Sequence, residues 1–290
     1  MASLAALLPY LAALMVWQAT TLAFYVATMH RILPGRMAIL CALAFPAVFV
    51  NLGHGHNGFL TAGLMGSALL CLPRRELLAG VLFALVAYKP QFGLVVPVAL
   101  AAGGRWRAMV AATLALAAMT AGTIAAFGAG SWSAFRQSWA FTRIVVLEQG
   151  NTGWEKIQSV FSAVRMWGGG IRTAYAIQAV VTLLVLGTLF HLWRRPGDFR
   201  VQGAALLSGS LLTTPYCLDY DMMLLGPALG FMASYGLERG FLPWEKTLLA
   251  AIWLSPLLAR MVAQHLMIPL GLAAIAATFA LACWRGQTRP

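Results

Sequence analysis

The sequence predicts an all-α protein whose helices cross a membrane several times, and three observations predict it. Apolar residues make up 61% of the chain, against roughly 45–50% in a soluble domain. Charged residues make up only 10%, where about 25% is usual; that is too little polar surface to cover a water-facing globule. The basic residues fall between the apolar runs: Arg31 and Arg36, Arg74 and Arg75, Arg105 and Arg107, Arg194 with Arg195 and Arg200, Arg239 with Lys246, and Arg285 with Arg289. A net charge of +12 spread in that way marks the cytoplasmic loops of a membrane protein. It argues against nucleic acid as a partner, which needs a basic face.

The first apolar run, residues 1–28, is long enough to span a bilayer at ~20 residues per crossing. No basic stretch precedes it, so it does not read as a cleaved signal. Two shorter arms follow, residues 37–50 and 59–72, separated by Asn51-Leu-Gly-His-Gly-His-Asn-Gly58. Residues 77–102 are interrupted by Tyr88-Lys-Pro-Gln91, and a proline removes a helix hydrogen bond and disfavours helix before it. Both units read as helical hairpins with polar tips. Charge counting supports this: if residues 77–102 crossed only once, the later basic clusters would oppose the earlier ones and the positive-inside bias would vanish.

The remaining spans are then residues 108–127 outward and 171–193 inward. Residues 203–214 lead out to a tip at Thr214-Pro-Tyr-Cys-Leu-Asp-Tyr-Asp221, and residues 222–236 return. Residues 247–258 go out and 266–284 come back. On this topology Met1 starts outside and the C-terminus is cytoplasmic. Residues 128–170 form a long external segment with two amphipathic stripes. One is Trp132, Phe135 and Trp139, with Ser133, Arg136, Gln137 and Arg143 opposite. The other is Ile157, Val160, Phe161, Val164 and Trp167, with Glu155, Lys156, Gln158, Ser162 and Arg165 opposite. Both suit short helices lying in the outer interface. No internal repeat is evident, and the chain reads as a single transmembrane domain over residues 1–290.

Chemistry is expected at three polar tips on the outer face. His54, His56 and Asn57 form the first, Lys89 and Gln91 the second, and Asp219, Tyr220 and Asp221 the third. A carboxylate of Asp219 or Asp221 suits proton transfer; both residues also suit plain exposure or a helix N-cap. Lys89 is a lone cation in an apolar unit, fit for a phosphate or for snorkelling to the headgroups. Helices starting after Asn57 and Pro90 would turn their N-termini to the same place and favour an anion. Two histidines alone are too few for a metal site, and Cys41, Cys71, Cys217 and Cys283 form no ligand pattern. No metal and no cofactor is expected. Arg136, Arg143 and Arg260 read as contacts to membrane lipid headgroups.

The order of these pieces resembles a family. Asn51-Leu-Gly-His-Gly-His-Asn57 resembles a Gly-Gln-x-Asn tip, and Ala79-Gly80, Lys89-Pro90, Thr214-Pro215 and Asp219 follow in order, from about Trp17 to Met223. The series is similar to glycosyltransferase family 87, also known as domain-of-unknown-function family 2029. Those are GT-C membrane enzymes that use polyprenyl-phosphate sugars, mannosyltransferases among them. The resemblance implies a GT-C-like helical bundle in the inner (plasma) membrane. It implies transfer of a hexose from a polyprenyl-phosphate-linked sugar donor to a lipid or glycan acceptor at the outer face. Asp219 and Asp221 would then be the catalytic candidates, with His54, His56, Asn57, Lys89, Gln91 and Tyr220 as substrate contacts.

Three differences stand beside the resemblance. His56 stands where members often carry Gln, and Tyr220-Asp221 where some carry a His-His pair. Members also begin with a further helix and a large external loop bearing a catalytic acid, so a chain supplying that region is an expected partner. The rival readings are a transporter or lipid flippase with a polar site between broken helices, and a catalytically incomplete remnant.

Overall fold

The structure is a computed structural model that describes residues 8–287. The expected outside start at Met1, and Arg289 of the last basic cluster, lie outside the described residues. Helices make up the fold, and no strand is present among the described residues; an isolated bridge joins Ile157 and Leu218. The helices are α1 Tyr10–Ile32, α2 Arg36–Leu43, α3 Pro46–His54, α4 Gly58–Cys71, α5 Glu76–Ala84, α6 Val95–Ala102 and α7 Trp106–Phe127. Then come α8 Gly130–Phe141, α9 Val160–Met166, α10 Ile171–Arg194, α11 Phe199–Leu212, α12 Leu225–Arg239, α13 Glu245–Leu266 and α14 Leu270–Gln287. Five of these (α1, α7, α10, α13 and α14) are long and apolar enough to cross a bilayer, and the bent pair α2–α3 makes a sixth if it is taken as one span. The chain is thus an all-α polytopic membrane protein.

Burial sorts the helices by solvent. In α11, residues 203–212 are buried without interruption, and in α7 the described buried residue is Ala108 alone. A helix apolar on every side and scarcely covered by protein belongs against lipid. The hydroxyls of Ser208 and Ser210 inside α11 donate back to the carbonyls of Ala204 and Leu207, both at 2.7 Å. They satisfy themselves within the helix, as a bilayer interior requires.

Packing fixes the direction of each helix. Phe24 lies against Gly63 and Thr28 against Gly66, so α4 runs parallel to α1. Tyr25 lies against Gly226 and Met29 against Gly230, so α12 does too. Glu76 and Arg105 form a salt bridge at 2.9 Å. The two ends of residues 77–102 therefore meet, and the unit turns back as the charge count requires. Arg105, Arg194 and Arg195 line one cleft together. Arg200 bonds Glu238 at 2.7 Å, and Arg285 pairs with Glu245. The described basic clusters gather at one end of the bundle.

Several expected details change. The first arm continues through Asn51 to His54, so Asn51 belongs to a helix and is fully buried. A bend of 48° separates α2 from α3, with Pro46 at the first helical position, where a missing N–H costs nothing. No α-helix starts directly after Pro90: two 3₁₀ turns, Leu85–Tyr88 and Pro90–Phe92, precede α6 at Val95. The second stripe of the external segment is covered by protein over its first part, with Val160 and Val164 half-buried and Trp167 exposed. Phe161, Ile157, Gln158 and Ser162 are all buried, so Gln158 and Ser162 do not face water. Their polar groups are paired internally: Ser162 Oγ donates to Trp154 O at 2.6 Å and Gln158 Nε2 to Glu155 O at 2.9 Å. In the first stripe α8 has no buried residue. Arg136 and Arg143 line one groove with Trp139 and do not lie opposite it, because at about 3.6 residues per turn positions 136 and 143 fall beside 139.

Candidate functional site

The three tips meet at the end of the bundle opposite the arginines. The second and third are joined by charge: Lys89 Nζ donates to Asp221 Oδ1, and both side chains are buried. Asp221 Oδ2 accepts from the Leu218 backbone N–H at 2.9 Å. Both carboxylate oxygens are thereby occupied, and the acid closes the 3₁₀ turn Asp219–Leu224 that carries it. Lys89 Nζ also lies 4.5 Å from the ring centre of Tyr220 and 5.6 Å from that of Phe92, where aromatic faces stabilise a desolvated cation.

The first tip docks on the third. The His56 ring stacks on Tyr220 with centroids 4.1 Å apart, and His54 stacks on His56 at 5.7 Å. Burial, followed by the neighbouring His54 and Lys89, holds His56 below the ordinary histidine pKa against the opposing pull of Asp221 and Asp219. A neutral ring is the form that stacks beside an ammonium without repulsion. Asn51 Oδ1 accepts the Gly58 N–H at 2.8 Å, which caps α4 from outside that helix. A Cβ at Gly58 would lie 2.6 Å from both Asn51 Oδ1 and the Tyr220 carbonyl, so the tips approach backbone to backbone here. The leading N–H of α4 is used by Asn51 and is not offered to a ligand.

Asp219 is placed differently from Asp221. Its Oδ1 accepts from the Tyr220 N–H at 2.8 Å. Its Oδ2 accepts no hydrogen bond from the described residues and is not sealed off. Burial raises its pKa, and nearby His54 and Arg260 pull the other way. The result is a carboxylate with one unclaimed oxygen and a proton affinity above the ordinary Asp range.

The remaining expected residues separate. Asn57 buries its Oδ1 without a partner. Gln91 lines a groove of about 750 Å³ together with Arg136 and Trp139 of α8 and with Thr213-Thr214-Pro215-Tyr216, and neither Lys89 nor Asp221 lines it. Sequence reasoning missed Asn51, Tyr88 and Gln18. Tyr88 holds Thr61 through a 2.7 Å hydroxyl contact. Gln18 ties α1 to the first tip by donating to Leu52 O at 3.1 Å. Asn51 and Gln18 are side-chain amides set in apolar runs, and that was the readable signal. No group of three His, Cys, Asp or Glu that could hold a metal ion comes together among the described residues.

Residues 1–215 match the profile of glycosyltransferase family 87. No curated protein and no solved structure matches the chain.

Proposed function

The chain is a membrane protein of glycosyltransferase family 87, and on that premise we propose that it moves a hexose, mannose-like, from a polyprenyl-phosphate donor to a lipid or glycan acceptor. The reaction is assigned to the end of the bundle where the three tips meet. With the positive-inside rule, the arginine end and the C-terminus are cytoplasmic, and the tips face outward from the inner membrane. The whole chain works as one transmembrane domain.

The observation that carries this reading is the division of labour between two carboxylates two residues apart. Asp221 has both oxygens committed, one to Lys89 and one to Leu218 N–H; it positions the tip. Asp219 has Oδ2 unclaimed. In the proposed step an acceptor hydroxyl gives its proton to Asp219 Oδ2 while its oxygen attacks the anomeric carbon. The bond from that carbon to the donor phosphate oxygen breaks, and the polyprenyl phosphate leaves with the electron pair. Attack from the side opposite the leaving group inverts the anomeric centre. The raised proton affinity of Asp219 suits a base working near neutral pH. A transporter reading requires polar partners toward both ends. The cavity of about 550 Å³ nearer the arginine end is instead lined by side chains such as Leu33, Ala38, Phe45, Leu249 and Trp253, which favours transfer over transport.

The test is turnover of a short-chain polyprenyl-phosphate mannose by the purified chain in liposomes containing membrane-lipid acceptors. Asp219→Asn is expected to lower kcat by about 10²–10⁴-fold, the usual worth of a positioned base. The wild-type rate is expected to fall as pH drops through the Asp219 pKa, with the acid limb above the ordinary carboxylate range, because only the ionised form accepts the proton. Full turnover by Asp219→Asn would remove Asp219 as the base, and absence of transfer by the wild type would remove the reading itself.

A further inference from the structure

The groove beside the tips carries an inference that rests on this reading and deepens it. α8 lies along its rim and supplies Arg136 and Trp139; Arg143 follows in the next turn. Arg136 makes no hydrogen bond or ion pair among the described residues, and Arg143 has only a loose 3.6 Å contact to Glu148 at 63% side-chain exposure. Glu148 in turn accepts from the Tyr175 hydroxyl at 3.0 Å. Two guanidinium groups therefore flank one groove with little protein charge to neutralise them. Gln91 and Thr214 add polar groups to its floor. The Lys89 ammonium, by contrast, is already neutralised by Asp221.

Depth selects the ligand. Trp132, Phe135 and Trp139 pack edge to face along α8, with centroids 5.9 and 5.5 Å apart, and each keeps at least 36% of its surface exposed. Such a face belongs in the headgroup layer of the bilayer, and it sets Arg136 and Arg143 at the level of lipid phosphates. Leu94, 47% exposed, leaves an apolar wall at the same groove. A phosphate arriving by lateral diffusion with its hydrocarbon tail in lipid meets both features; a soluble sugar phosphate meets only the arginines. Arginine also suits phosphate through paired N–H donors.

We propose that this groove is the donor-phosphate site: Arg136 and Arg143 hold the phosphate of the polyprenyl lipid, and Gln91 and Thr214 line the path from it to the tips. Lys89 then belongs to the framework of the tip and not to phosphate recognition.

The experiment uses the full chain in nanodiscs of zwitterionic lipid, with farnesyl phosphate as the probe. Saturable binding is expected, with affinity lowered by at least about tenfold in the Arg136→Gln/Arg143→Gln double variant, as the loss of charge-assisted phosphate contacts implies. Because Arg136 lies on α8, which has no buried residue, and the Arg143 side chain is 63% exposed, the variant should fold as the wild type does. Arg172→Gln, an exposed cation outside the groove, should bind normally. Farnesol and inorganic phosphate should compete poorly, and so should phosphatidylglycerol. Wild-type affinity in the double variant would overturn the proposal, as would absence of binding or equal competition by phosphatidylglycerol, which marks a general headgroup contact. Binding without sugar transfer would keep the groove and sink the transferase reading. Transfer with an unchanged KM in the double variant would do the reverse.

Discussion

Lys89 and Asp221 lie 132 residues apart in the chain and pair in a buried tip. Each would be costly there alone, since an unpaired charge taken from water loses several kcal/mol of solvation. Together they cancel, and the Tyr220 face and the Leu218 N–H take up part of what remains. Lys89→Met is therefore expected to destabilise the fold by about 3–5 kcal/mol, because it strands the Asp221 carboxylate. Adding Asp221→Asn should recover much of that loss: the amide oxygen still accepts from Leu218 and no net charge is left. Thermal unfolding of both variants in one detergent decides the matter. Equal melting of the single and double variants would mean that the pair is not energetically coupled.

Short helices with small faces build the framework that holds the tips. α5 crosses α7 so closely that a Cβ on Gly80 would collide with the Ala108 carbonyl, and it would lie 2.8 Å from the Ala111 methyl and 2.9 Å from the Ala112 nitrogen. In lipid, where burial of apolar surface gains little, such close backbone contact is a main source of helix association. Gly80→Val is expected to cost about 1–3 kcal/mol or more through forced separation of the pair. Gly122→Val, farther along α7 where nothing lies within 4 Å of the added carbon, should cost less than about 1 kcal/mol, since valine is no worse than glycine in a helix. The comparison is made by unfolding in mixed micelles; similar losses at both positions would deny that the crossing depends on close approach. The same framework explains why the 3₁₀ turns around Pro90 are tolerated. Val86, Lys89 and Phe92 are buried there while Leu85, Tyr88 and Pro90 are exposed. The turns keep their own hydrogen bonds, Lys89 N–H to Val86 O at 2.8 Å and Phe92 N–H to Lys89 O at 3.1 Å, the internal satisfaction a membrane requires.

At the scale of the whole molecule the charges define two ends. The Glu76–Arg105 bridge and the cleft shared by Arg105, Arg194 and Arg195 put successive loops side by side, while Lys89, His56 and Tyr220 meet at the other end. Single cysteines at positions 75 and 105, introduced after replacing the exposed Cys41, are expected to resist a membrane-impermeant thiol reagent in intact cells. A cysteine at position 172, at the start of α10, is expected to react. Labelling at 105 without labelling at 75 would break the hairpin.

Composition, the rhythm of basic residues and the position of Pro90 were enough to place the chain in a bilayer and to fold residues 77–102 back on themselves. These properties are local: a run of some twenty apolar residues and the charges at its ends answer to the thickness and sidedness of the membrane whatever else the chain does. The three polar tips were legible for the same reason, since charges and amides are conspicuous in apolar sequence. Their partners were not. Nothing near Lys89 in the chain points to Asp221, nothing near Gly58 shows that Asn51 caps its helix from across a turn, and the amphipathic stripe at Ile157–Phe161 reads alike for a surface helix and a segment covered by protein. The tertiary structure decided these points because the energy of a buried polar group depends on which other groups reach it. That is set by how the helices cross and not by the order of residues along any one of them.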